Sequence, residues 1–173
     1  MDAGLDAIEP LLPTRPQPAL EALAEEVCRR GFALKNLVHP VTEARIAKLL
    51  RSVNSYYSNR IEGEQTLPRD IEQALRRSFS KDPGKARLQR LAVAHIGAQE
   101  EMEQRLAAEP DLAVFGTPFL AGLHRGFFER LTKEDRVTDA GDEVAPGYFR
   151  RRDVTVGAHE APDWHRVPAF LQR

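Results

Sequence analysis

Residues 40–63 read PVTEARIAKLLRSVNSYYSNRIEG. Pro40 suits a first helical position, where the donor it lacks would have no partner anyway. Ile46, Leu49, Leu50, Val53 and Tyr57 then recur at helical spacing, the pattern reaches Ile61, and Gly63 ends it. A patterned segment of this length between a proline start and a glycine stop predicts one long helix.

The flanking segments repeat that texture. Leu20, Leu23, Ala24 and Val27 form one apolar stripe, predicting a helix over 18–30 with Gly31 as its C′ cap. Cys28 lies beside the stripe and reads as a small buried or half-buried hydrophobe. Pro68 opens a helix over 67–79 with Ile71, Ala74, Leu75 and Phe79 toward the core. Lys81-Asp82-Pro83-Gly84 is a turn, and a long helix follows to Ala108. Its inward stripe reads Leu88, Leu91, Ala92, His95, Gln99, Met102 and Leu106. Thr117 as N-cap and Pro118 at the first helical position start a strongly apolar helix to Leu131.

After Thr132 the texture changes. Gly141, Pro146, Gly147, Gly157 and Pro162 break the helical pattern, and Asp153–Gly157 alternates as a strand does. A loop and then a β-hairpin are expected within 147–161, and residues 167–173 resemble the first turn of another helix. Residues 1–18, with Pro10, Pro13, Pro16 and Pro18, read as an extended tail. The expected fold class is therefore mainly α, with one small β-hairpin.

Composition bounds the function. The chain has 173 residues, 42% hydrophobic and 29% charged, which are values of a globular chain rather than a disordered one. A net charge of −1 leaves no whole-protein field for nucleic acid or anionic lipid. No apolar run approaches the ~18 residues of a membrane helix. The acidic start MDAGLDAIEP lacks the basic and apolar regions of a signal peptide. A single cysteine excludes an internal disulfide, and the simplest compartment is the cytoplasm.

Generic catalytic motifs are missing. His159-Glu160 with His165 fails as a zinc site, because the position for the second histidine holds Asp163 and Pro162 breaks the helix. No phosphate-binding glycine loop and no nucleophile elbow occur. His95, on the apolar stripe, reads as a satisfied core histidine, and His124 as structural. Ser58 and Glu62 stand at i and i+4 and share a helix face. A carboxylate in a last helical turn sits poorly against the helix dipole. Glu62 therefore reads as solvent-facing, with Gly63 a plain cap. The sharper alternative is a carboxylate held there to meet a cation, such as an arginine in a pocket.

Ser58-Asn59-Arg60-Ile61-Glu62-Gly63 resembles the inhibitory-helix motif (S/T)xxxE(G/N) of Fic-family proteins. Thr117-Pro118 through Leu123-His124-Arg125 to Leu131 is similar to the opening helix of a Fic domain. Pro146-Gly147-Tyr148-Phe149-Arg150 and Val154-Thr155-Val156-Gly157 resemble the segment before the family's flap and the flap itself. Glu160-Ala161-Pro162 and Val167–Leu171 resemble the family's post-flap segment. The resemblance covers roughly residues 40–173.

The family's HxFx(D/E)GNGRxxR segment is absent, and the family order places it beyond Arg173. The resemblance implies the N-terminal, autoinhibitory part of a protein adenylyltransferase, which moves AMP from ATP to a hydroxyl of a target protein. On that reading residues 1–18 are a tail, 19–110 a helical region with the inhibitory motif, and 111–173 the start of a Fic domain. Glu62 is the inhibitory carboxylate, with Ser58 and Gly63 at its helix end. Val154, Thr155, Val156 and Gly157 dock the target protein. No catalytic or metal-binding residue lies in this chain, which is expected to be inactive alone; ATP and Mg²⁺ belong to the complete family protein. A homo-oligomer stays open. The alternatives are a non-catalytic helical module that inhibits a Fic partner in trans, and an unrelated helical interaction domain.

Overall fold

A computed structural model describes residues 15–138 and 141–171, the side chains of Val156 and His159 excepted. The proline-rich tail therefore lies mostly outside the described residues. In chain order the elements are α1 (Pro18–Leu37), α2 (Pro40–Ile61), α3 (Pro68–Leu75), α4 (Pro83–Ala108), α5 (Thr117–Phe128), β1 (Thr155–Val156), β2 (His159–Glu160) and α6 (Val167–Phe170). The mainly α class expected from the periodicity is the observed one. Among the described residues no helix is long and apolar enough to cross a membrane.

The chain divides into two compact units, one ending at Leu50 and the other beginning at Arg51. In the first, α1 runs straight through Gly31, so the expected stop there is wrong. Glycine is a weak helix former but not a breaker, and Phe32–Leu37 extends the helix by almost two further turns. Val38 turns extended and ends it. None of α1 is buried, and Cys28 is exposed rather than a core hydrophobe. His39 opens α2: its carbonyl accepts from Thr42 and Glu43, and its ring Nδ1 accepts from the Val41 N–H at 3.2 Å.

The second unit is built on α4. Asp82 caps it by accepting from the Lys85 N–H at 2.7 Å, and Pro83 follows at the first helical position. One face of α4 carries Ala86, Gln89, Ala92 and Ile96, and Ile71 of α3 joins Ala92 and Ile96 in the core, with Tyr56 packed against them. Gln89 is fully buried with both polar atoms of its amide bonded: Ser80 N–H donates to its Oε1 at 2.7 Å, and its Nε2 donates to the Asp70 carbonyl at 3.0 Å. One amide thus ties α3, the turn and α4 together, and its bonds offset the cost of burying it. The residues expected as the inward stripe of α4 are, Ala92 apart, only half-buried. The helix is covered on more than one side, and small residues mark the closest approaches.

The opposite side of α4 meets α5 in antiparallel fashion through glycines. A Cβ on Gly122, Gly126 or Gly97 would meet Arg105, Glu101 or Arg130 respectively, a four-residue ladder running in opposite senses on the two helices. Arg130 bonds Glu101 at 2.8 Å within that ladder. Arg136 then donates to the Leu131 and Glu129 carbonyls at 3.1 Å each, satisfying groups freed at the end of α5. Gly116, not Thr117, is the N-cap of α5; the Thr117 hydroxyl is buried without a partner.

α3 is shorter than expected. It stops at Leu75 because Arg77 adopts φ +62, and Ser78 N–H then reaches the Gln73 carbonyl at 3.0 Å. Leu75 and Phe79, expected in the core, are each 39% exposed. Sequence alone does not announce an arginine in the left-handed region, where glycine is the usual occupant.

The hairpin lies inside the expected interval but is brief. Thr155 pairs with Glu160 and Val156 with His159, and Ala161 N–H donates to the Val154 carbonyl at 2.9 Å. Gly157, at φ +60, takes the first place of the two-residue turn, where a type II′ turn needs a positive φ.

Candidate functional site

Sequence singles out two groups of residues, and both lie in the second unit. The first is the end of α2. Toward α4 it makes polar contacts: the buried Ser55 hydroxyl donates to the Ala92 carbonyl at 3.3 Å, and the exposed Asn54 amide donates to Gln99 Oε1 at 3.5 Å. Arg51 bonds Glu103 at 2.7 Å and Glu100 at 2.9 Å, so this part of α2 descends antiparallel to α4. The apolar residues that predict the helix point elsewhere: Tyr57 is 58% and Ile61 81% exposed.

The helix closes in a Schellman arrangement. Gly63, at φ +82, donates to the Arg60 carbonyl at 3.1 Å, and Glu64 N–H donates to the Asn59 carbonyl at 2.9 Å. Gly63 is the C′ residue the sequence predicts. Ser58 is exposed, and its carbonyl, not its hydroxyl, accepts from the Glu62 N–H at 3.2 Å. Glu62 is exposed, and its carboxylate has no hydrogen bond or ion pair among the described residues. Its neighbours behave differently. Arg60 bonds the Tyr56 hydroxyl at 2.7 Å, and Glu64 stands 3.7 Å from Arg87. An open groove of about 380 Å³, lined by Tyr56, Arg60, Gly63 and residues 64–67, runs beside the cap.

The second group surrounds the hairpin. Val154 is half-buried, and Thr155 and Gly157 are exposed; the Val156 side chain lies outside the described residues. His124 on α5 fixes the approach to this region. Its Nδ1 accepts the Gly147 N–H at 2.9 Å, and its ring packs on Phe128 at 4.5 Å between centroids. Burial holds the imidazole below its usual pKa, so the neutral form that can accept is favoured. Gly147 sits at φ +80, and a Cβ there would lie 2.8 Å from the Arg125 Nε. His124 thus makes the kind of structural contact that its sequence context implies. His95 differs from expectation: burial lowers its pKa, yet its Nδ1 is buried without a partner.

His124, Tyr148 and Arg150–Arg152 line an open cleft of about 600 Å³, together with Asp142 and Glu143. Arg150 donates to the Arg152 and Pro162 carbonyls, and Arg152 pairs with Asp142. Sequence reasoning does not find this cleft. Three consecutive arginines after Tyr148-Phe149 are a visible signal, but only folding sets His124 against Gly147. At the far end His165 donates its backbone N–H to Asp163 at 2.8 Å and stacks on Trp164. Among the described residues no group of three or more His, Cys, Asp or Glu side chains is placed to hold a metal ion.

No hydrogen bond or ion pair among the described residues joins the Ser58–Gly63 end to the hairpin. Comparison with protein families, with curated proteins and with solved structures gives no match for this chain.

Proposed function

We propose that this chain is the autoinhibitory, N-terminal part of a Fic-type protein adenylyltransferase, with Glu62 as the inhibitory carboxylate. One observation carries the reading. Glu62 is an exposed, unpaired carboxylate at the end of a helix whose last turn is locked by the Gly63 cap. A carboxylate so held can take a guanidinium from another part of the site bidentately, in competition with a phosphate. Its helix supplies it at high local concentration, so the single contact need not be strong. The short hairpin around Val154–Gly157 supports the same reading, since an exposed β-edge can add a strand of the target protein. ATP and Mg²⁺ would be held by residues outside this chain, cytoplasmic residence goes with the same reading, and the chain alone transfers nothing.

The test uses the chain joined to a segment carrying HxFx(D/E)GNGR. Glu62→Gly should raise labelling of the protein and its target by AMP from ATP, and Glu62→Gln should raise it less, since an amide still bonds but carries no charge. The unextended chain should incorporate no label above a heat-killed control. Equal labelling with and without the Glu62→Gly change, in a folded, extended protein, would return Glu62 to an ordinary surface carboxylate.

The second reading, a helical interaction module acting in trans, is favoured by a separate observation: the large apolar residues of α1, and Tyr57 and Ile61 of α2, are exposed. Labelling of a separate Fic protein that falls on adding this chain, and recovers with Glu62→Gly, would select it.

A further inference from the structure

α1 draws no stability from a buried face. Its 20 residues span about 30 Å, and none is buried. An isolated helix of this length is marginal in water, and most helices are held by the packing of an apolar face. α1 has such a face. Leu20, Leu23, Val27, Leu34 and Leu37 follow the alternating three- and four-residue spacing of a coiled-coil seam, with Arg30 in the one polar seam position. Their exposures run from 51% for Leu20 to 83% for Leu37. Large aliphatic side chains aligned in one seam differ from the scattered apolar residues normal on a surface.

The charges say what covers the seam. All acidic residues of α1, Glu21, Glu25 and Glu26, lie in its first half; all basic ones, Arg29, Arg30 and Lys35, lie in its second. Glu26 pairs with Arg29 and Arg30 across the midpoint of its own helix, at 2.7 Å each. A parallel copy would set acid beside acid and base beside base. An antiparallel copy sets each acidic half against the other's basic half, and a two-fold axis through the helix midpoint makes both contacts at once.

We propose that α1 is a self-association element, and that the chain forms a two-fold dimer by antiparallel pairing of α1 with α1 of a second copy. Its short seam, broken by Arg30, makes the dimer weak and concentration-dependent rather than obligate. The inference is independent of the role given to Glu62.

Sedimentation of the whole chain across a concentration series tests it. The expected result is a shift from the 19.4 kDa chain to twice that mass, weakened by added salt. Replacing Glu21, Glu25 and Glu26 by Lys should abolish the dimer. The complementary variant, with Arg29, Arg30 and Lys35 changed to Glu, should also be monomeric. An equimolar mixture of the two should recover the dimer mass. Trp164, the single tryptophan, reports whether the second unit stays folded in each variant. Should charge reversal unfold α1 itself, Leu23→Gln with Val27→Gln provides a milder break and must also dissociate the dimer. A monomer at every concentration, a dimer indifferent to these α1 changes, or a dimer strengthened by salt would each overturn the proposal; the last would mean parallel pairing.

Discussion

α1 and α4 are both long helices opened by proline, and they use their side chains in opposite ways. α4 buries small or polar residues, Ala86, Gln89, Ala92 and Ala94, with Ile96 the one large aliphatic among them. α1 exposes leucines and a phenylalanine along its whole length. The contrast separates two properties that an amphipathic pattern merges. A stripe of apolar residues says that a face can be covered. How closely a neighbour approaches depends on side-chain size, so alanine and glycine carry the tightest contacts in the second unit.

The largest expected effect tests that asymmetry directly. Ile71→Ala empties a site 1% exposed against Ala92 and Ile96 and should cost about 2–5 kcal/mol in urea unfolding. Leu23→Ala, at 64% exposure, should change stability by less than about 0.5 kcal/mol at concentrations too low for self-association. Comparable losses at the two positions would mean that α1 is packed, and the contrast would be gone.

Two glycines refine the contrast at smaller scale. Both have positive φ, but Gly147 faces Arg125 whereas Gly63 faces open space. Gly147→Ala should cost roughly 1–3 kcal/mol, backbone strain plus displacement of Arg125, and should shift the His124 resonances. Gly63→Ala should cost about 1 kcal/mol from the backbone alone. Equal costs would show that Arg125 yields freely.

A pH series separates the units again, because both shifted histidines lie in the second. Burial holds His95 and His124 below the ordinary 6.5 in the folded chain, so the unfolded chain binds protons first as pH falls. The stability they provide is fully present above 6.5 and declines as pH falls through the interval down to their folded values. Urea midpoints should drop across that interval, and His124→Gln should flatten the slope. An unchanged slope would show that His124 protonates freely while folded. The smallest effect is expected at Glu62, where Glu62→Gln should move stability by less than about 0.5 kcal/mol, leaving any change in labelling attributable to function.

Local chemistry makes much of this fold legible. Pro40 and Gly63 bracket α2 as expected, and Gly63 adopts the left-handed cap that its position implies. Pro83, which reads as part of a turn, instead opens α4, and Gly157, which reads as the end of an alternating strand, takes the hairpin turn. The departures share a cause. Gly31 reads as a stop although nothing forces one there. Arg77 supplies a stop that arginine does not advertise. Cys28 reads as buried because its neighbours are apolar, but the helix that carries it buries none of its residues.

The candidate site divides along the same line. Ser58, Glu62 and Gly63 are close in sequence, so their shared helix end can be read without a fold. The cleft beside the hairpin cannot, because it depends on His124 meeting Gly147 across 23 positions. Where backbone hydrogen bonds start and stop is written in the chain itself, since proline, glycine and capping side chains act within one turn. Which faces are covered is settled by packing. That choice rests on the sizes and polar groups of residues distant in sequence: Ala92 beneath Ser55, Gln89 between Asp70 and Ser80, and Gly126 against Glu101.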